Sequence, residues 1–180
     1  MKSRINQGFT LMEIMVVIIV IAVLSSVAGP IINGVVDQAK ASATRTTMMN
    51  IKSGLVNFNN DLGKFPFTGV AQTAASFNSA DSEALSQDFT KNVLVNGAVA
   101  GLTLGMASDT FSRRWKGPYM DSDPSMFMTD PWESKIRYRY NGKQLYLHSF
   151  GPDGIDDFPN AIASGEYEGD DIVFAVSRVK

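Results

Sequence analysis

Apolar and polar positions fall into two regimes along the chain. Residues 9–29 read Phe9-Thr10-Leu11-Met12-Glu13-Ile14-Met15-Val16-Val17-Ile18-Ile19-Val20-Ile21-Ala22-Val23-Leu24-Ser25-Ser26-Val27-Ala28-Gly29. This is about 20 residues, or roughly 30 Å of helix, the depth of a hydrocarbon core. A membrane-spanning helix is predicted there. Beyond Pro30 the pattern becomes amphipathic: Ile32, Val36, Ala39, Ala43, Ile51, Leu55, Phe58 and Leu62 recur at steps of three or four, or sums of such steps, along one helix face. Asp37, Gln38, Lys40, Ser42, Arg45 and Asn50 take the opposite face. Residues 30–62 are therefore expected to leave the bilayer and lie against a folded head. Pro30, with Gly29 and Gly34 beside it, permits a kink between the two halves. Asn59-Asn60-Asp61-Leu62-Gly63-Lys64-Phe65-Pro66 carries the polar residues, glycine and proline that stop a helix.

Residues 63–180 supply the head. Residues 68–106, rich in Ala, Ser, Asn and Gly, predict a connector with one or two short helices and weak periodicity over 84–95. Trp115-Lys116-Gly117-Pro118-Tyr119 and Asp130-Pro131-Trp132 are turn-like segments whose rings suit packing at the edge of a small core. Residues 136–140 alternate in polarity, Asn141-Gly142 is a hairpin turn signal, and residues 144–150 return as the paired strand, with a last strand over 172–176. The predicted fold is α+β, a long N-terminal helix packed on a small antiparallel sheet.

Composition narrows the options. The 180 residues hold one core plus an appendage. A formal charge of −2 gives no basic stripe for nucleic acid. With no cysteine, disulfides, thiolate metal sites and thiol chemistry are excluded. The first eight residues carry Lys2 and Arg4 and lack an apolar centre, so a small residue, Gly8, precedes the apolar run instead of following it. Cleavage after Gly8 would leave the apolar helix on the mature chain as an anchor. It would also lower Lys+Arg from 16 to 14 against 18 acidic residues, for a charge of −4. Positive residues before the run and none clustered after it place the N-terminus in the cytoplasm and the head outside it.

Glu13 breaks the apolar run, and a carboxylate there costs on the order of 2.5 to 3.5 kcal/mol unless paired or neutralised. Either it sits at headgroup level, or it meets the α-amino group that cleavage would create on Phe9 of a neighbouring copy, which would neutralise both charges and set the axial register of stacked helices.

Gly8-Phe9-Thr10-Leu11-Met12-Glu13-Ile14 resembles the processing motif of type IV pilins and type II secretion pseudopilins. In that family a prepilin peptidase cuts after the glycine and methylates the new terminal phenylalanine. Pro30, Leu62-Gly63-Lys64-Phe65-Pro66 and the two aromatic turn segments are similar to features of the major pseudopilins. The resemblance implies a subunit of a homo-oligomeric helical filament, with a periplasmic head on an inner-membrane anchor. It also implies as partners the peptidase, an inner-membrane assembly platform with its cytoplasmic ATPase, and minor pseudopilins.

Between hairpin and last strand, residues 151–171 are acidic and glycine-rich, a donor set suited to a hard cation such as calcium, although the spacing is not that of an EF-hand. Major pseudopilins bind calcium at a similar stretch, and the resemblance assigns Ser149, Asp153, Asp170 and Asp171 as ligands, with Asp156 and Glu168 in reserve. An insertion over 158–163 departs from the family pattern. A solvated acidic turn without metal is the competing reading.

No catalytic constellation emerges. His148 is expected within a strand, and Ser149 beside it points to the other strand face, so the two do not form a nucleophile and base pair. Two alternatives remain open: a type IV pilin for adhesion, motility or DNA uptake, and a membrane-tethered binding module or hydrolase. The absence of cysteine favours the pseudopilin over a pilin, because pilins often close their C-terminal region with a disulfide.

Overall fold

The computed structural model describes residues 9–66, 83–140, 144–157 and 169–178. Helix α1 (Leu11–Leu62) is assigned without a break through Pro30. The chain divides into two compact units, Met1–Ala39 and Lys40–Lys180.

In the first unit the large apolar side chains of α1 are exposed, Leu24 at 66% and Leu11 at 79%. Ser26 sits among them, yet its hydroxyl donates to the Val23 carbonyl at 2.7 Å, so it is satisfied within its own helix. Among the described residues no helix is long and apolar enough to cross a membrane. The span expected over 9–29 lies partly outside them, because described side chains in this stretch end at Ser26.

In the second unit α1 buries Thr44, Met48, Ile51, Leu55, Phe58 and Leu62. These steps of four and three keep one stripe inward over five turns of helix. The face expected from sequence was out of phase in its early part: Val36, Ala39 and Ala43 are exposed. Carried back from Leu62, the buried stripe passes through Thr44, which lies about 100° around the helix from Ala43. Thr44 tolerates burial because its hydroxyl donates to the Lys40 carbonyl at 2.9 Å.

After the helix, a short 3₁₀ turn (Glu83–Leu85) and turns through residue 95 bury Ala84, Leu85, Val93 and Leu94 where weak helical periodicity was expected. Helix α2 (Gly97–Leu104) starts on Asn96, whose side chain accepts from the amides of Ala98 and Val99, and ends on Gly105 in the left-handed region. Helices α3 (Ser108–Arg114) and α4 (Pro124–Phe127) follow, α4 capped by Asp123.

The aromatic turn segment packs as expected. Trp115 stacks on Phe111 at 5.4 Å and meets Tyr119 edge-on at 4.9 Å, and both Trp115 and Tyr119 present edges to Phe58. The Tyr119 hydroxyl donates to Asp61 at 3.0 Å, and burial pushes its phenol up to about 12. Gly54 makes room on α1: a Cβ there would come within 3.2 Å of the Tyr119 carbonyl.

Strands β1 (Arg137–Tyr140), β2 (Gln144–Ser149) and β3 (Ile172–Arg178) form an antiparallel sheet in the order β1-β2-β3. Tyr138 pairs with Leu147 and Tyr140 with Leu145, while Leu147 pairs with Phe174. These side chains line the face packed in the core with α1. Arg137, Arg139, Tyr146 and His148 alternate onto the far face. The hairpin turn expected at Asn141-Gly142 lies outside the described residues. The fold is α+β and pilin-like in its long helix and small sheet.

Phe58→Ala removes the ring at the centre of the aromatic cluster and is expected to destabilise the second unit by about 3 to 5 kcal/mol. Val36→Ala, off the buried stripe, is expected to stay within about 0.5 kcal/mol. Urea unfolding followed by tryptophan fluorescence checks both.

Candidate metal centre and assembly motif

At the N-terminus, Thr10 closes the first turn of α1. Its Oγ1 accepts from the Glu13 amide at 3.2 Å, and its carbonyl accepts from Ile14 at 3.3 Å. Thr10 and Glu13 stand in the capping-box spacing, and the Thr10 half of the box is formed. Glu13 is exposed in the first turn, where its charge complements the helix dipole. Phe9 is 79% exposed, and Gly8 lies outside the described residues.

The described parts of the acidic loop, 151–157 and 169–171, fold against the far face of the sheet, where Asp156 meets Arg139 and Asp171 meets His148. Gly151 and Gly169 adopt positive φ of 67° and 89°. A Cβ on Gly151 would collide with the Asp170 carbonyl, and one on Gly169 with the Asp157 carboxylate, so both glycines allow the two acidic segments to close on each other. Two groups of oxygen and nitrogen donors result, each with ligand atoms within 4.8 Å of one another: Asp153, Asp157 and Asp170, and His148, Asp156 and Asp171.

The four ligands expected from sequence are thus divided. Asp153 and Asp170 fall in the first group, where the Asp153 amide donates to Asp170 Oδ2 at 3.2 Å and Asp153 Oδ1 accepts from Ile155 at 2.8 Å. Asp171 falls in the second. Its Oδ2 accepts from His148 Nε2 at 2.9 Å and from the Asp157 amide at 3.0 Å, which ties the two groups together. Ser149 joins neither with its side chain, because its neighbour His148 takes the far face and alternation sends the Ser149 hydroxyl to the other side. There it donates to buried Asp130, whose second oxygen holds the amides of Trp132 and Ser134 at 3.0 and 2.9 Å. Of the reserve ligands, Asp156 gives both oxygens to Arg139, at 3.2 and 2.8 Å. Glu168 and the insertion at 158–163 lie outside the described residues. Sequence reasoning missed Asp157 as a group member and Arg139 as a neighbour. The signal for Arg139 was the alternation of Arg137 and Arg139 on β1 opposite Tyr146 and His148 on β2.

Asp171 is the most perturbed of these carboxyls. Its side chain is 2% exposed, and its Oδ1 is buried without a hydrogen-bond partner among the described residues. Burial, with the carboxylates of Asp156, Asp157 and Asp170 adding to it, pushes its pKa from 3.8 up to about 7. A buried oxygen lacking a donor, among carboxylates, fits a hard cation such as calcium.

Comparison with known proteins bears on both regions. The family model described as the prokaryotic N-terminal methylation motif matches residues 3–29. The chain carries the N-terminal motif of type IV pilin-like proteins. It is also 26% identical over 155 residues, covering 84% of this chain and 83% of the relative, to a type II secretion system core protein G of Xanthomonas campestris pv. campestris. No solved structure matches the chain. Both Phe9 and Glu13 fall inside the pilin-like motif, whereas the acidic loop falls outside it.

The raised pKa of Asp171 has a defined effect on stability. Between 3.8 and about 7 the folded metal-free chain keeps a proton that the unfolded chain releases. Stability of the metal-free protein is therefore expected to fall as pH rises across that window and to flatten above it, and Asp171→Asn should remove this slope. Thermal melts in chelator at pH 4.5, 6 and 8 measure it.

Proposed function

We propose that the chain is a pseudopilin-like structural subunit of a type II secretion pseudopilus, anchored in the inner membrane by its N-terminal helix and assembled into a periplasmic filament. The observation that carries the proposal is the coincidence of the methylation motif over residues 3–29 with similarity to a core protein G along most of the chain. A type IV pilin role shares the first feature only. His148 and Ser149, adjacent in sequence, engage separate carboxylates on opposite faces of β2 and not each other, which favours a structural role over a hydrolytic one.

In this reading a prepilin peptidase cuts after Gly8 and methylates Phe9. The apolar side chains of α1 then leave lipid for contact with the same segment of neighbouring copies. Glu13 meets the terminal amine of a neighbour, so two charges that would each be costly in an apolar filament core cancel. The platform, its ATPase and the minor pseudopilins act as assembly partners.

For the head we infer a calcium ion held by Asp153, Asp157, Asp170 and Asp171 with help from backbone carbonyls. The ion would supply the positive charge these carboxylates lack and fasten residues 151–157 to 169–171. Asp156, already bound to Arg139, stands outside this set.

Co-expression with a prepilin peptidase and assembly machinery tests the first proposal. Mass spectrometry is expected to find a mature chain starting at a methylated Phe9, and Glu13→Ala should abolish filaments while leaving cleavage intact. A mature chain that still starts at Met1, or normal filaments from Glu13→Ala, overturns it. For the ion, calcium is expected to raise the melting temperature of the full chain in detergent, and Asp171→Asn to remove the increment; identical melting with calcium and with chelator refutes the site.

A further inference from the structure

His148 is the single histidine of the chain, wholly buried in β2. Neither filament assembly nor direct coordination of calcium accounts for an imidazole at this place. Its surroundings determine which nitrogen carries the proton. Arg139 NH1 lies 3.0 Å from Nδ1, and a guanidinium can only donate, so Nδ1 accepts. The ring proton then sits on Nε2, which donates to Asp171 Oδ2 at 2.9 Å. The same guanidinium holds Asp156 through both of its oxygens. Phe150 closes over the group, its ring edge-on to His148 at 5.0 Å, while the Arg137 guanidinium lies 4.3 Å from the Phe150 centroid.

The chain of donors therefore runs from Arg139 through His148 to Asp171 Oδ2 and leaves Asp171 Oδ1 as a buried oxygen without a hydrogen-bond partner among the described residues. We propose that Arg139 and His148 are positioning residues for the cation site: they fix the Asp171 carboxylate through Oδ2, leave Oδ1 for the ion, and keep the imidazole itself out of coordination. This rests on the calcium reading above. The second consequence is selectivity. With Nδ1 engaged by a guanidinium and Nε2 protonated, His148 offers no lone pair to zinc, so the site presents oxygen alone and favours a hard cation. Arg139 pairs with Tyr146 and Arg137 with His148, so Arg139 and His148 lie diagonally on one face two register positions apart, which makes the relay a property of the sheet and not of the loop it serves.

Calorimetric titration of the full chain in detergent with calcium chloride and with zinc chloride tests this, alongside ¹⁵N spectra of the imidazole. His148→Leu is expected to weaken calcium binding about 10- to 100-fold, as loss of a partner behind a metal ligand does. His148→Gln, which keeps a donor toward Asp171, should recover most of that loss. The spectra should report a protonated Nε2 and a bare Nδ1. The double variant Arg139→Met/Asp156→Asn, which leaves no unpaired Asp156 charge, should shift the metal preference toward zinc. Unchanged calcium affinity in His148→Leu, with binding abolished in Asp171→Asn, overturns the positioning role and leaves the calcium site standing. Equal binding by Asp171→Asn and the parent chain overturns the calcium site instead. Equal loss in His148→Leu and His148→Gln, with matching drops in metal-free melting temperature, reduces His148 to packing and overturns the proposal. The opposite tautomer does so too.

Discussion

Burial of one stripe of α1, from Thr44 through Met48, Ile51, Leu55 and Phe58 to Leu62, is the interaction on which the rest of the second unit is laid. A three-stranded sheet cannot protect both of its faces alone. The stripe and the apolar face carrying Tyr138, Leu145, Leu147 and Ile172 share one core, which leaves the polar face of the sheet to be finished by the acidic loop. Turns between α1 and β1 then fill the remaining space, with Phe58 meeting the Trp115 and Tyr119 rings and Gly54 admitting the backbone at Tyr119.

Both candidate functional regions set carboxylates where an opposite charge would stabilise them, Glu13 in the proposed filament and Asp171 in the folded head. In the apolar N-terminal segment a single acid, Glu13, stands against a long hydrophobic run, and in the proposed filament the charge of a second molecule would neutralise it. In the loop the acids are several, and one of them, Asp156, already has an internal remedy in Arg139. The others have backbone amides and one imidazole, which orient a carboxylate without supplying a full positive charge. That difference separates an oxygen available to a cation from one already spoken for.

Period and composition made much of this legible in the sequence. Alternation gave strands β1 and β2, glycines and acids gave the two segments that close on each other, and the basic residues before Gly8 with Phe9 and Glu13 after it gave the methylation motif. What escaped depended on phase or on distant pairing. The early part of the α1 stripe was misassigned because Val36, Ala39 and Ala43 are apolar by type, while Thr44, buried in fact, hides its polarity in a bond to Lys40. Ser149 was expected among the carboxylates, yet strand alternation turns it toward Asp130 as surely as it turns His148 toward Asp171. Arg139 could be found only by pairing β1 with β2 and asking which side chains share the face the loop covers. Asp157 depends on Gly169 leaving it space, a contact between segments separated in sequence.

The Thr10 cap carries one more implication. Among the described residues the bonds that close the start of α1 run from the amides of Glu13 and Ile14 to Thr10, so they lie beyond Gly8 and would stay with the chain if the preceding octapeptide were excised. In the proposed maturation the trimmed chain would change in charge and length while Thr10 still holds the amides of Glu13 and Ile14, so the first turn would not have to be rebuilt before assembly.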